Sequence, residues 1–251
     1  MNISAEAFAK FSGRLHKIRD TASGKILDYI SKTGVEKFAL QGYDMTPFIE
    51  YAYGVATKYG EAAGALSAEL YDAIAELSGV PVPPAVVAPT PSYSEIAKTV
   101  NGVRKQSRNP NTMADAIGRQ VKKVGADTML SNAKRDHAQY AWIPQGETCA
   151  FCIMIASRGW ESSNYGVEHL HANCDCEYCV RFDNKTTVAG YDPDKYREIY
   201  DNAEGSNYEE KLNSMRRDFY AENSEEINAQ KRDNYEKRKE READTAEEIL
   251  V

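Results

Sequence analysis

The stretch 80-VPVPPAVVAPTP-91 places five prolines in twelve residues. Each proline ring fixes φ and removes a backbone donor, so neither a helix nor a central strand can run through this stretch, and an extended, polyproline-like spacer is favoured. Helical periodicity must therefore lie on one side of it or the other. Upstream, Phe8, Phe11, Leu15, Ile18, Ala22, Ile26 and Ile30 recur at steps of three and four after Ser4, which predicts an amphipathic helix over 4–32 with Ser4 as N-cap. A second helix is expected from Thr46-Pro47, with Thr46 as cap and Pro47 at the first helical position, an apolar stripe running through Ile49 or Tyr51, Val55, Tyr59, Ala63, Leu66, Leu70 and Ile74, and Gly79 just past its end.

Downstream, Tyr93–Lys105 reads as a helix. Residues 111–142 read as a longer one, capped at Asn111 or Thr112, with Met113, Ile117, Val121 and Val124 on one face and Arg119, Lys122, Lys123, Lys134 and Arg135 on the other. Asp192-Pro193 opens another helix. After Gly205-Ser206-Asn207, a charged helix begins with Tyr208, Leu212, Met215, Phe219 and Ile227 at near-heptad spacing, and its stripe fades into 228-NAQKRDNYEKRKEREADTAEE-248. The expected organisation is a helical N-terminal domain over 1–79, a proline-rich linker over 80–91, a cysteine-bearing module over 92–204 and a charged helical tail over 205–251.

Charge is uneven along the chain. The net is −2 for residues 1–91, +5 for 92–137, −3 for 138–191 and −7 for 192–251. A basic helix face is an ordinary solvated surface or a phosphate contact. Without interleaved aromatics or a recognisable motif, 92–137 implies at most a weak DNA contact.

All five cysteines and two of the four histidines fall within the 31 positions from Cys149 to Cys179, as 149-CAFC-152 and 169-HLHANCDCEYC-179. No apolar run approaches the roughly 18 to 20 residues that span a bilayer, and the start MNISAEAFAKFSGRLHKIRD has no apolar signal core, so neither membrane nor export is expected. A disulfide framework then lacks its oxidising setting, and thiols at short fixed spacing point to metal. Structural Zn²⁺ takes four Cys or His ligands in a tetrahedron. The preferred set is Cys149, Cys152, His171 and one of Cys174 or Cys176. In an extended segment His169 points away from His171, and Cys179, between Tyr178 and Val180, reads as a small buried hydrophobe.

Two catalytic readings of the cysteine pair are weak. A zinc deaminase needs His-x-Glu upstream and Pro before the first cysteine, whereas this chain has 137-HAQ-139 and Thr148. A thiol oxidoreductase motif normally follows a strand in a βαβ context, whereas a long helix and 141-AWIPQGE-147 precede this one. No small-molecule substrate is implied, and the chain is not expected to be an enzyme.

The segments 142-WIPQGETCAFCIMIASRGW-160, HLHANCDC and 187-TVAGYDPDKYREIYDNA-203 together resemble the phage Mu F-like (MuF) head-morphogenesis proteins, in particular the minor capsid proteins of phages with Gram-positive hosts. Cys149 and Cys152, 155-IASRG-159, His171 with Cys174 and Cys176, and 190-GYDPD-194 carry the resemblance, which covers about residues 130–203. Glu177-Tyr178-Cys179 departs from it, since relatives run into an apolar strand with proline there.

The resemblance implies a virion head component, made in the host cytoplasm, at or near the portal vertex. It would contact portal or major capsid protein, and in some members is delivered with the genome. The implied fold is mainly α with a small α+β zinc-stabilised module. The alternative is a zinc-containing nucleic-acid-binding protein or nuclease-like enzyme, favoured only by the basic 92–137 segment.

Overall fold

The computed structural model describes residues 2–34, 42–107, 109–145, 148–162, 176–225 and 228–229. The order of elements is β1 (Asn2–Ile3), α1 (Ala5–Thr33), α2 (Thr46–Leu77), α3 (Tyr93–Gln106), α4 (Pro110–Arg135), β2 (Gln139–Ile143), α5 (Ala150–Ala156), β3 (Glu161–Ser162), β4 (Glu177–Arg181), β5 (Thr187–Val188), α6 (Pro193–Asn202) and α7 (Tyr208–Glu222). The protein is mainly helical with small sheets, as the periodicity predicts.

The apolar stripes form the core. Phe8, Phe11, Leu15, Ala22, Ile26 and Ile30 of α1 are buried, as are Ile49, Val55, Ala63, Leu66 and Ile74 of α2 and Met113, Ile117, Val121 and Val124 of α4. These three helices pack pairwise, and α3 lies across α2 and α4. Small residues set the approach of α4 to its neighbours. A methyl group at Gly118 would lie 2.5 Å from Ser23 Oγ of α1, and one at Gly125 would lie 2.9 Å from Ser67 Oγ of α2. Backbones this close leave no room for a side chain, and dispersion gains from the tight contact replace those of a larger residue.

Helix ends follow capping chemistry. Ser4 accepts from Ala7 N–H, Ser92 and Glu95 form a reciprocal capping box, and Asp192 caps α6 with Pro193 next. Gly79, at φ 66°, closes α2 in a Schellman arrangement: its N–H reaches Glu76 O, and Val80 N–H reaches Ala75 O at 3.1 Å. Two expectations are corrected. The N-cap of α4 is Asn109 with Pro110 next, and that of α2 is Met45, with the Asp44 carboxylate accepting from Thr46 N–H.

The largest difference is the end of α4. The pattern predicts helix to Trp142, yet the helix stops at Arg135 and the chain re-emerges as β2. The stop is again a Schellman motif, with Ala138 N–H on Ala133 O at 2.9 Å. His137 occupies the left-handed position at φ 54°, where glycine or asparagine usually signals a stop.

The proline-rich segment lies as a strap on the bundle. Asp72 accepts from Ala85 N–H and Thr128 from Ala88 N–H. Asn132 accepts from Val86 N–H at 2.9 Å and donates to Val86 O at 2.8 Å. Arg135 donates to the carbonyls of Pro83 and Pro84 and to Asp136, which also accepts from the Tyr71 hydroxyl at 2.7 Å. Arg135 accordingly holds the Asp136 carboxyl below the usual range. Helices before and after the strap share one hydrophobic cluster, and the segment expected to be a spacer is hydrogen-bonded along their surface, with Val86 and Val87 exposed.

Two small sheets complete the described fold. In a parallel pair, Asn2 and Ile3 of β1 face Thr187 and Val188 of β5. The order β3-β2-β4 is antiparallel, with Ala141 opposite Cys179 and Ile143 opposite Glu177.

Asn132→Ala should lower stability by about 2 kcal/mol, because three hydrogen bonds go and the strap's backbone must find water. Chemical denaturation measures the loss, and limited proteolysis should cut 80–91 in the variant before the wild type. His137→Gly should raise stability by about 1 kcal/mol through relief of the left-handed conformation, read as an upward shift in Tm.

Candidate metal centre

The cysteine module is built on α5, β4 and α6. Cys149 is the N-cap of α5 and is exposed, whereas Cys152, one turn on, is buried. The C-terminal end of this short helix is held by the segment that follows β5. Tyr191 donates from its hydroxyl to Ala156 O at 2.8 Å, and Arg197 donates to Ser157 O at 3.3 Å. Gly159, at φ 72°, turns the chain away with its α-carbon side against Pro193. Trp160 stands between the Arg181 guanidinium, 4.8 Å from its ring centre, and the Tyr191 ring at 6.1 Å. The stretches 155-IASRG-159 and 190-GYDPD-194, separate in sequence, thus form one joint whose carbonyls are satisfied by side chains.

Cys176 is buried immediately before β4. Burial and then the neighbouring Cys176 push the Tyr196 phenol above its usual value. Tyr196 lies on α6, and α6 packs on α5. Cys149, Cys152 and Cys176 therefore belong to the same corner of the molecule.

Cys179 differs in kind. It is fully buried on β4, its Sγ lies 3.7 Å from Val180 O, and burial pushes its thiol up to about 12. A metal ligand must be a thiolate, so Cys179 suits the role of a core residue, as its apolar neighbours suggest. His169, His171 and Cys174 lie outside the described residues. Among the described residues, no three His, Cys, Asp or Glu side chains are gathered closely enough to hold a metal ion. Of the expected ligands, Cys149, Cys152 and Cys176 are the ones among the described residues.

Sequence reasoning missed a second cluster beside this corner. Lys122 was expected on the charged face of α4, but it is 4% exposed, and its Nζ lies 3.1 Å from Glu177 Oε1 on β4. His16 Nε2 of α1 is 3.5 Å from the same oxygen. Lys122 also stands 6.0 Å from the Trp142 ring centre, and Trp142 packs edge-on against Tyr178 at 4.6 Å. The signal was Glu177 itself, an acid opening an otherwise apolar strand, for which a buried cation is the usual compensation. The local pattern around Lys122 gave no such hint. Its neighbours Lys123 and Arg135 are paired with Asp127 and Asp136, so several cations of the basic segment are committed within the chain.

Breaking a buried pair leaves one charge stranded, whereas replacing both partners removes the desolvation cost altogether. Glu177→Leu and Lys122→Met should each cost about 3–5 kcal/mol in chemical denaturation, and the double variant should recover most of that loss. Additive losses in the double variant would mean that the pair contributes little.

The model of the VG15 protein family matches residues 2–203, from β1 to the residue after α6. No curated protein and no solved structure matches the chain.

Proposed function

This chain belongs to the VG15 protein family, a family of viral gene products, and on that premise we propose that it is a minor structural protein of a phage head, at or near the portal vertex. The observation that carries this reading is the α5 joint. Two of the pieces resembling the MuF head-morphogenesis proteins, 155-IASRG-159 and 190-GYDPD-194, meet there through Tyr191, Gly159 and Pro193, with Arg197 beside them. In this reading the protein has no catalytic centre. A structural zinc, held by Cys149, Cys152, His171 and either Cys174 or Cys176, fixes the corner, since metal-binding energy acts as folding energy in a small loop-rich module.

The partner in this proposal is the portal or the major capsid protein. Of the stripe expected on α7, Leu212 and Met215 are buried, and α7 packs on α5, so these two residues serve the protein's own fold. Tyr208, Phe219 and Tyr220 remain exposed and are the residues offered to a partner, because large aromatics supply much of the energy of protein interfaces. The protein would be carried in the head of the virion. A nucleic-acid-binding role draws less support, because Lys122, Lys123 and Arg135 are engaged by carboxylates.

Mass spectrometry of gradient-purified particles should find the protein in few copies relative to the coat protein. Tyr208→Asp combined with Phe219→Asp should reduce its incorporation while leaving its circular dichroism unchanged. Absence from heads and from assembly intermediates would overturn the structural reading. Elemental analysis of freshly reduced protein should give about one zinc per chain, and Cys149→Ser with Cys152→Ser should abolish it.

A further inference from the structure

The outer face of α1 carries cations that the protein's own fold leaves uncommitted. Lys10, Gly13, Arg14 and Lys17 are all exposed. They stand at positions i, i+3, i+4 and i+7, which are neighbours on a helix surface and enclose one hollow of the kind a facing side chain can enter. Three cations thus ring a glycine. A methyl group at Gly13 would meet nothing within 4 Å, so this glycine serves no packing inside the chain, although glycine in a helix interior costs stability. Arg14 reaches Glu69 only at 4.0 Å, with both side chains mostly exposed. Among the described residues, Lys10 and Lys17 form no ion pair.

The complementary surface lies on α6. Ile199 is a large aliphatic side chain left 39% exposed, and Glu198 and Asp201 beside it are exposed as well. Neither carboxylate forms an ion pair among the described residues. Lys195, one turn earlier, shares this face, whereas Arg197 is committed to Asp194. Since α1 packs on α2 and α4, and α6 packs on α5, the two faces belong to different parts of the molecule.

We infer that these faces meet between copies: α6 of one molecule lies across α1 of the next, with Ile199 over Gly13 and with Glu198 and Asp201 against Lys10, Arg14 and Lys17. The missing side chain at position 13 admits the isoleucine. Its burial supplies apolar contact, and the charges set the orientation. One patch meets a different one, so every added copy offers the same open face again, and the assembly closes into a ring or grows as a filament. A net charge of −7 opposes self-association, and exposed ion pairs contribute little singly. The contact is therefore weak and acts on copies already brought close together.

Sedimentation velocity of the reduced full-length protein, over a concentration series at low ionic strength, tests this. The mass should rise above the 28.0 kDa of one chain as concentration increases. Lys10→Glu with Lys17→Glu, and separately Glu198→Lys with Asp201→Lys, should each weaken association at least about tenfold, because like charges then face each other. The second variant moves the net charge from −7 to −3, so a general charge effect would strengthen its association instead. Mixing the two variants should restore assembly, since the acidic α1 of one then faces the basic α6 of the other. Gly13→Leu fills the hollow and should weaken association without lowering Tm. Unchanged circular dichroism shows that each variant is folded. A wild-type mass of 28.0 kDa at every concentration, association indifferent to both reversals, or a mixture that stays monomeric overturns the inference. None of these results bears on the head reading, which the analysis of purified particles tests separately.

Discussion

A single carboxylate holds the two parts of this protein in register. Glu177 enters the interior at the start of β4 and meets Lys122 of α4 and His16 of α1, so one acid ties the helical bundle to the sheet. Burying such charges costs several kcal/mol per ion, and only close geometry returns it. The arrangement therefore tolerates little displacement. A slip of β4 by one residue would turn Glu177 to the other face and bring Tyr178 in its place, leaving Lys122 without its acid. What the pair contributes is position more than stability, and the position it fixes is the strand that begins one residue after Cys176.

The strap gives the bundle a similar kind of definition by other means. Prolines 83 and 84 bring carbonyls and no donors, and Arg135 takes both carbonyls. The amides of Ala85, Val86 and Ala88 are met by Asp72, Asn132 and Thr128. Side chains of α2 and α4 thus perform the task that a neighbouring strand would perform in a sheet. A segment that cannot join a ladder is held in an extended form because side chains of the bundle take several of its backbone polar groups. β1 pairing with β5 ties the start of the chain to the module directly.

The cysteine corner is framed by these constraints. Its helix, α5, is too short to be stable alone and depends on the Tyr191 and Arg197 side chains at one end and on β2 beneath it. Side chains from the segment after β5 thus take carbonyls that the end of α5 leaves open. The exposed aromatics of α7 sit beside this corner, on a helix whose inner residues are already used in packing, which separates the part of α7 that shapes the protein from the part that can meet a partner.

Local chemistry in the sequence was enough to set the long helices, their buried faces and the caps at Ser4 and Asp192, because periodicity, a capping serine, Asp-Pro and a trailing glycine act within one or two turns. It also singled out the cysteine cluster and read Cys179 as a core residue from its apolar neighbours. The end of α4 was not legible, since a histidine takes the left-handed place where glycine would have marked the stop. Nor was the path of the proline segment, because Pro-rich composition excludes helix without saying what lies alongside. Only the tertiary structure could bury Lys122, whose partner is 55 positions away on β4, and could divide the α7 stripe into packed and exposed residues. Both outcomes depend on which surfaces meet, and a charge or an aromatic carries no mark in the sequence of the side chain that will be brought against it.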